Sequence, residues 1–256
     1  MAPVELQIVA LTGLPSIQPG DDLCGLICSA VQRTGMTARD GDIFVVAQKV
    51  ISKAESRLVP LSTVKPGDRA KELAAITGKD PRLVELILRE SHEVLRVRSG
   101  VMIVLHRLGI VCAKAGIDFS NVGCPEGEEV ALILPENPDV SASRLRQALC
   151  EALMADVGVI INDSVGRAWR LGTVGLAIGG AGLPGVEDLR GLPDLYGRPL
   201  QVSQTGIADA IASAAILVQG EAAEGRPVAL IRGFDTFPVS GCAADLLRPA
   251  EEDLFR

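Results

Sequence analysis

The chain has no excess of positive charge: 25 Lys and Arg stand against 32 Asp and Glu, for a net charge of −7. A nucleic-acid binder needs a basic footprint, so that class is excluded. An acidic surface still admits an anionic substrate, because a few arginines or a metal ion can dominate a cleft. No apolar run approaches the roughly 18 residues that span a bilayer, so no membrane is expected. Met1-Ala2-Pro3-Val4-Glu5 lacks the basic region and apolar core of a signal peptide. The reading is a cytoplasmic enzyme. No Gly-x-x-x-x-Gly-Lys-Ser/Thr loop occurs, which excludes phosphate binding in the P-loop manner. Internal repeats and low-complexity tracts are missing too. There are only two histidines, His92 in a helix-to-loop stretch and His106 in a strand-like run, and neither has a motif around it. The cysteines are Cys24, Cys28, Cys112, Cys124, Cys150 and Cys242, with no CxxC pair. Cys24 and Cys28 share a helix face but would need two further soft ligands to hold metal. Buried reduced thiols are the simpler reading.

What is present is most informative between Val159 and Gly175. A β-branched run, Val159-Ile160-Ile161, reads as a buried strand. It ends in Asn162-Asp163-Ser164, then Gly166, then Arg167 and Arg170 around the single tryptophan. Hard oxygens at a strand end suit Mg²⁺ or Mn²⁺. Arginines a few residues on suit a phosphate or carboxylate, since the guanidinium fork bonds two oxygens at once. Metal plus anion is the equipment of phosphoryl transfer. Alone, the stretch equally describes a strand, an Asn-Asp-Ser turn and a solvated basic loop. A second segment, Val111 to Asn121, is again a short apolar run ending in a carboxylate, Asp118, with Ser120 and Asn121 behind it. An Asx turn or helix cap would use the same residues. As a lone motif capping is the simpler reading, and the repetition adds weight to a shared acidic metal site.

The organisation is mixed. Strands are predicted over 6–11, 43–47, 157–161 and 228–232, with a hairpin from Val101–Leu105 to Ile110–Ala113 through Arg107-Leu108-Gly109. A helix capped by Asp21 or Asp22 carries Leu23, Leu26, Ile27, Ala30 and Val31 on one stripe. Residues 66–91 carry two helices separated by Gly78-Lys79-Asp80-Pro81. Ser141 or Ser143 is placed as the cap of a helix bearing Leu145 and Leu149. The Gly-rich segment 172–185 suits a strand or backbone lying near a ligand. Residues 208–218 are Ala-rich and helical. The elements do not alternate regularly, so the fold class is α+β, neither a doubly wound Rossmann nor a P-loop fold.

Four segments together resemble the coenzyme F420-0:L-glutamate ligase, or γ-glutamyl ligase, family. They are Gly13-Leu14-Pro15-Ser16-Ile17 followed by Pro19-Gly20-Asp21-Asp22; Asp42 through Glu55; Ala115-Gly116-Ile117-Asp118-Phe119-Ser120-Asn121; and Val159 through Gly175, continued by Ala177-Ile178-Gly179 and Asp194-Leu195-Tyr196-Gly197-Arg198. A weaker fifth match is Gly220-Glu221 with Glu224-Gly225-Arg226-Pro227. They keep the family's order over essentially the whole chain.

The resemblance implies one ligase domain over 1–256, two-lobed, without the flavin-reductase-like domain of longer relatives, and a homodimer with a β-rich interface. It implies GTP-dependent addition of L-glutamate to coenzyme F420-0 through an acyl phosphate, with further γ-linked glutamates. It implies two divalent ions, Mg²⁺ or Mn²⁺, and a K⁺ ion as a further candidate. Asp118, Asp163, Ser164 and Glu221 match metal positions, and Asp118, Asp163, Arg167 and Arg170 are the expected catalytic set. Leu14, Pro15, Ser16, Ile17, Gln48, Lys49, Lys53, Asn121 and Gly220 are the expected nucleotide-binding set.

Departures exist. Gln48-Lys49 stands where archaeal relatives commonly have Ser-Thr, Ser164 where Thr is common, Lys114 for a frequent Asn, and Ala210 for a frequent Glu. Two other readings stay open: an amide ligase acting on another cofactor carboxylate, and a nucleotide-binding homologue that has lost catalysis. Convergence of the four hard ligands on one point would separate the enzyme from the latter.

Overall fold

The computed structural model describes residues 5–123, 128–234 and 241–253. In chain order the elements are β1 (Gln7–Ala10), α1 (Leu23–Arg33), β2 (Ile43–Ala47), α2 (Gln48–Ala54), β3 (Leu58–Pro60), α3 (Asp68–Thr77), α4 (Pro81–Arg89), β4 (Ser91–Arg98), β5 (Val101–His106), β6 (Val111–Ala113), β7 (Val130–Leu132), α5 (Pro138–Leu153), β8 (Gly158–Gly166), β9 (Thr173–Ala181), β10 (Glu187–Asp188), β11 (Gln204–Thr205), α6 (Ile207–Gln219) and β12 (Val228–Arg232).

The central sheet has the order β1-β12-β2-β8-β9. Only β2 and β8 run parallel; the other neighbours are antiparallel. This mixed sheet is the expected α+β class. Strand alternation sorts its side chains. Phe44, Val46, Val159 and Ile161 join Ile27, Val31 and Leu149 of α1 and α5 on one face. Ile43, Val45 and Ile160 join Ala208, Ile211, Ala212 and Ala215 of α6 on the other. A separate core gathers α3, α4 and the β4-β5-β6 sheet around Leu73, Val84, Ile87, Met102 and Val104. The short β3–β7 ribbon lies in the chain on either side of that core.

Among the described residues, three of the six α-helices open on a side-chain cap. Asp22 accepts from the Gly25 N–H at 3.2 Å to open α1. Asp80 accepts from the Arg82 N–H at 2.7 Å, with Pro81 at the first position of α4. The cap of α5 is a correction. Asn137 accepts from the Val140 N–H at 3.2 Å and Pro138 follows, so the helix starts before Ser141 and Ser143. The Ser141 hydroxyl instead bonds Glu55 and the Asn137 carbonyl.

Two strands also differ from expectation. Ser91, placed in the second helix, and His92, placed in a helix-to-loop stretch, open β4, which continues through residues 93–98, for which no element was expected. β8 does not stop at Ile161; it pairs with β9 through Asn162, Asp163 and Ser164 to Gly166. The Gly-rich segment is strand through its pairing with β8, and both its faces are crowded by helices. A Cβ at Gly175 would lie 2.2 Å from the Ala212 carbonyl oxygen of α6, and one at Gly179 would lie 2.5 Å from the Pro138 carbonyl oxygen of α5. Only glycine lets these helices pack so near the strand.

Of the cysteines, Cys112 is buried, while Cys24, Cys28, Cys150 and Cys242 are partly exposed free thiols. Burial as a general reading is therefore too strong, and Cys124 lies outside the described residues. Among the described residues, no helix is long and apolar enough to cross a membrane.

Candidate functional site

The site begins at the carboxyl ends of the parallel pair. β2 and β8 run side by side to Ala47 opposite Asn162. In open sheets the crevice beyond such ends is where ligands bind. Here it opens into a cavity of about 790 Å³. Leu14 to Ile17 line one side, α2 another, the Lys114–Asn121 turn a third, and the Gln219–Arg226 loop a fourth.

At the sheet end, polar side chains replace the apolar run and are held in place by hydrogen bonds. Gln219, in the last turn of α6, is buried. It accepts from Asn162 Nδ2 at 2.8 Å and donates to the Val45 and Pro227 carbonyls at 3.1 and 3.2 Å. This pins the end of α6 to β2, β8 and the start of β12. Gly220 then turns the chain with φ 78°, and a Cβ there would meet Glu224 at 2.4 Å. The turn places Glu221 where its Oε1 accepts from the Ser164 hydroxyl at 2.7 Å.

β8 and β9 pair with a β-bulge between Ile161 and Asn162. Ile161 pairs with Gly179 and Asn162 with Ala177, leaving Ile178 as the extra residue. Bulges of this kind are over-represented beside functional sites. Asp163 lines the cavity just after it, and its carboxyl is pushed up to about 7. Burial is the main cause, followed by the charge of Asp118; the Ser164 N–H and Lys49 act the other way, and Glu221 adds to the rise. The neighbouring Cys112 thiol is pushed up to about 12, mainly by burial and then by Asp163.

Asp118 comes from the opposite wall. Lys114 and Ala115 take left-handed backbone conformations, with φ 54° and 51°, as the chain leaves β6. Asp118 then exchanges two 2.9 Å backbone hydrogen bonds with Leu132. Its carboxylate is no helix or turn cap: Oδ2 accepts from Gln48 Nε2 at 3.1 Å and lies 3.2 Å from Lys49 Nζ. Gln48 is buried at the start of α2 and also accepts from the Ser52 hydroxyl at 3.0 Å. Lys53, one turn on, donates to the Asn121 carbonyl at 2.6 Å. Asn121 donates to the Ala222 carbonyl at 3.0 Å, which closes the ring of loops.

The structure therefore gathers Leu14, Pro15, Ser16, Ile17, Gln48, Lys49, Lys53, Asp118, Asn121, Asp163, Ser164, Gly220 and Glu221 around one cavity. Arg167 and Arg170 do not border it. Both are exposed in the β8–β9 connection, where Arg167 donates to the Gly172 carbonyl at 3.1 Å. Arg226 was not singled out from the sequence. It borders the cavity, and its Nε is buried with no hydrogen-bond partner among the described residues. A buried donor of this kind calls for an acceptor. The one signal available was its place behind Gly225, in the loop that carries Glu221.

The donor set fits a hard divalent ion in chemistry. Three carboxylates and a hydroxyl face one cavity, and Asp163 bears the repulsion of the other two acids. Among the described residues, however, no three His, Cys, Asp or Glu side chains come close enough to hold one ion. A Mg²⁺-type site has this open character, with one or two carboxylates and the rest of the shell supplied by substrate phosphates and water.

The F420-0:γ-glutamyl ligase family model matches residues 13–233. The coenzyme F420:L-glutamate ligase of Methanothermobacter thermautotrophicus is 43% identical over 253 residues, covering 98% of this chain and 99% of the relative. That of Methanopyrus kandleri is 44% identical over 94% and 93% of the two chains. That of Archaeoglobus fulgidus is 42% identical over 99% and 97%. The match runs from the Leu14 loop to the end of β12 and takes in every wall of the cavity, so the chain belongs to the F420-0:γ-glutamyl ligase family.

Proposed function

We propose that this protein joins L-glutamate to coenzyme F420-0 in the cytoplasm, with GTP as the activating nucleotide, and then adds further γ-linked glutamates. Amide formation from a carboxylate is uphill in water, so the carboxylate must first be activated. An oxygen of the acceptor carboxylate attacks the terminal phosphorus of GTP, and GDP leaves. The glutamate nitrogen then attacks the acyl carbon, phosphate leaves, and the nitrogen gives up its proton.

The observation that carries this reading is the joining of two kinds of group around one cavity. Asp118, Asp163, Ser164 and Glu221 offer hard oxygens, and Lys53 and Arg226 border the same space with cationic groups. When bound on those oxygens, Mg²⁺ or Mn²⁺ would shield the charge of the phosphoryl group in transfer. The Arg226 guanidinium, with its buried Nε, suits an anionic oxygen of nucleotide or acceptor. Gln48 and Asn162 hold the cavity floor and fix Asp118 and the end of α6. Leu14 to Ile17, with Ile17 buried, form an apolar wall that limits water at the mixed anhydride.

The homodimer belongs to the same proposal. Residues 187–205 form a hairpin-like arm closed by the β10–β11 pair and a Pro193–Pro199 bridge. Its Leu195 is 99% exposed, as Trp169 is 95% exposed in the β8–β9 connection. Apolar side chains at such exposure suit a partner surface.

The test is mass spectrometry of the products formed from F420-0, glutamate, GTP and Mn²⁺. Expected masses rise by one glutamyl unit, then by further units, with GDP and phosphate released. Equal turnover with ATP at limiting nucleotide would remove the GTP assignment and leave a general ligase. No glutamyl product would sink the reading.

A further inference from the structure

We infer that the Lys49 ammonium is a built-in cation at Asp118 that takes the place of one divalent ion, so that each chain binds a single divalent ion, on the side of Asp163, Ser164 and Glu221. The inference rests on the metal-dependent ligase reading and specifies how its cations are arranged.

The geometry at Asp118 is that of a filled cation position. The Lys49 ammonium has three N–H donors and no acceptor. Three oxygens surround it: Asp118 Oδ2 at 3.2 Å, Ser120 Oγ at 3.1 Å and the Ser120 carbonyl at 3.3 Å. Every donor has a place to go. Oxygens of a carboxylate, a hydroxyl and a carbonyl are also the donor types a hard metal ion would take. The seat is held from behind as well. Lys49 is the second residue of α2, and its neighbour Gln48 is buried and donates to the same Asp118 oxygen at 3.1 Å. A divalent ion on that oxygen would have to displace both donors or sit against a like charge.

The opposite wall is different. Among the described residues, Asp163 and Glu221 have no ion pair. The Asp163 carboxylate accepts from the adjacent Ser164 N–H at 2.9 Å, and Glu221 accepts from the Ser164 hydroxyl at 2.7 Å. Both carboxylates border the cavity. Two acids and a hydroxyl without an ion pair on one wall, and an acid paired with Lys49 on the other, divide the site into one open position and one occupied.

The experiment is a Mn²⁺ titration of the full chain, with free ion read by electron paramagnetic resonance. Wild type is expected to bind one Mn²⁺ per chain. Lys49→Met, which keeps the stem and removes the charge, is expected to bind two. Adding Asp118→Asn to that variant should return the count to one, while Lys49→Arg should stay at one. A wild-type count of two, with glutamyl product still formed, overturns the inference and leaves the ligase reading standing. A Lys49→Met count that stays at one also overturns it, since Lys49 would then exclude nothing. If Lys49→Met is insoluble, Lys49→Gln, which likewise removes the charge, takes its place with the same two outcomes. No Mn²⁺ bound by wild type, together with no product, overturns the metal-dependent reading beneath it.

Discussion

β8 and β9 are paired from Val159 opposite Ala181 to Gly166 opposite Thr173, with one bulge between Ile161 and Asn162, yet the two ends of this hairpin live in different environments. At the base, Ile160 and Ile161 are fully buried, one against α6 and the other against α5. At the tip, Trp169 is 95% and Leu171 98% exposed. Backbone pairing is the same kind of bond at both ends. What differs is whether a helix can come down on the strand, and the bare Gly179 at the base and Gly175 opposite Ser164 make that possible. Between the ends lies the polar middle, Asn162 to Ser164, with one side chain tied to α6 and the others facing the cavity. A single hairpin thus serves as core, site and unpartnered surface, in that order along its length.

The largest effect is expected at the middle. Asp163→Asn keeps shape but removes the charge that would hold a divalent ion beside the transferring phosphoryl group. Turnover at saturating GTP should fall on the order of 10²-fold or more, about 3 kcal/mol of transition-state stabilisation. The fold should persist, because Asp163 forms no ion pair among the described residues and loses repulsion from Asp118 and Glu221. The rise in melting temperature caused by Mn²⁺ should shrink. Wild-type rate together with a wild-type Mn²⁺ response would reduce the middle of the hairpin to plain structure.

The base should respond in stability rather than rate. Ile160→Ala deletes a buried side chain between the sheet and α6. A loss of about 3 kcal/mol is expected, roughly 10 °C in a protein of this size. Thermal melting checks it, and a shift under about 2 °C would mean that the α6 face is loosely packed.

Much of this division could be read in the sequence, for identifiable reasons. Val159-Ile160-Ile161 announces a buried strand locally, as do the Asp22 and Asp80 caps of α1 and α4. The continuation of β8 could not be read. Asn-Asp-Ser has turn chemistry, and it is strand here only because Gln219, 57 residues away, takes the Asn162 amide and because Leu176 and Gly175 lie opposite Asp163 and Ser164. β4 was lost for a related reason. Its charged residues alternate with Val and Leu, and only pairing with β5 makes them a strand. At the site, Asp118, Asp163, Ser164 and Glu221 each stood out as hard ligands within matching segments. The Lys49 contact with Asp118 joins segments far apart in the chain and leaves no local signal. Arg167 and Arg170 show the converse. Their nearness to Asp163 in sequence suggested a shared anion site, but the strand carries them past the cavity rim.

A smaller effect separates the middle from both ends by pH. The Asp163 carboxyl is raised from 3.8 to about 7 in the folded protein. Between those values the native state holds a proton that the unfolded chain has lost. Metal-free stability should therefore decline as pH rises from about 4 to about 7 and level off above. After allowance for the partial exposure of the side chain, the group contributes on the order of 2 kcal/mol to that decline. Denaturant melts at several pH values should show it, and Asp163→Asn should flatten this part of the profile. A slope of the same size in Asp163→Asn would assign it to other carboxylates.

The smallest effect on the protomer is expected at the tip. Trp169 is almost fully exposed, so Trp169→Ser removes little contact within its own chain. Protomer stability should stay within about 0.5 kcal/mol of wild type, as for other surface changes without a buried partner. If the tip is covered by a second copy, the same substitution strikes an aromatic at an interface, where such side chains contribute disproportionately. Dimer dissociation should then rise about tenfold, equal to about 1.4 kcal/mol. Analytical ultracentrifugation across a concentration series measures the association, and melting at low concentration measures the protomer. A wild-type protein that stays monomeric at micromolar concentration with full activity would break the comparison at its outer end. The exposed Trp169 and Leu171 would then be plain surface, and the hairpin would have two functional regions instead of three.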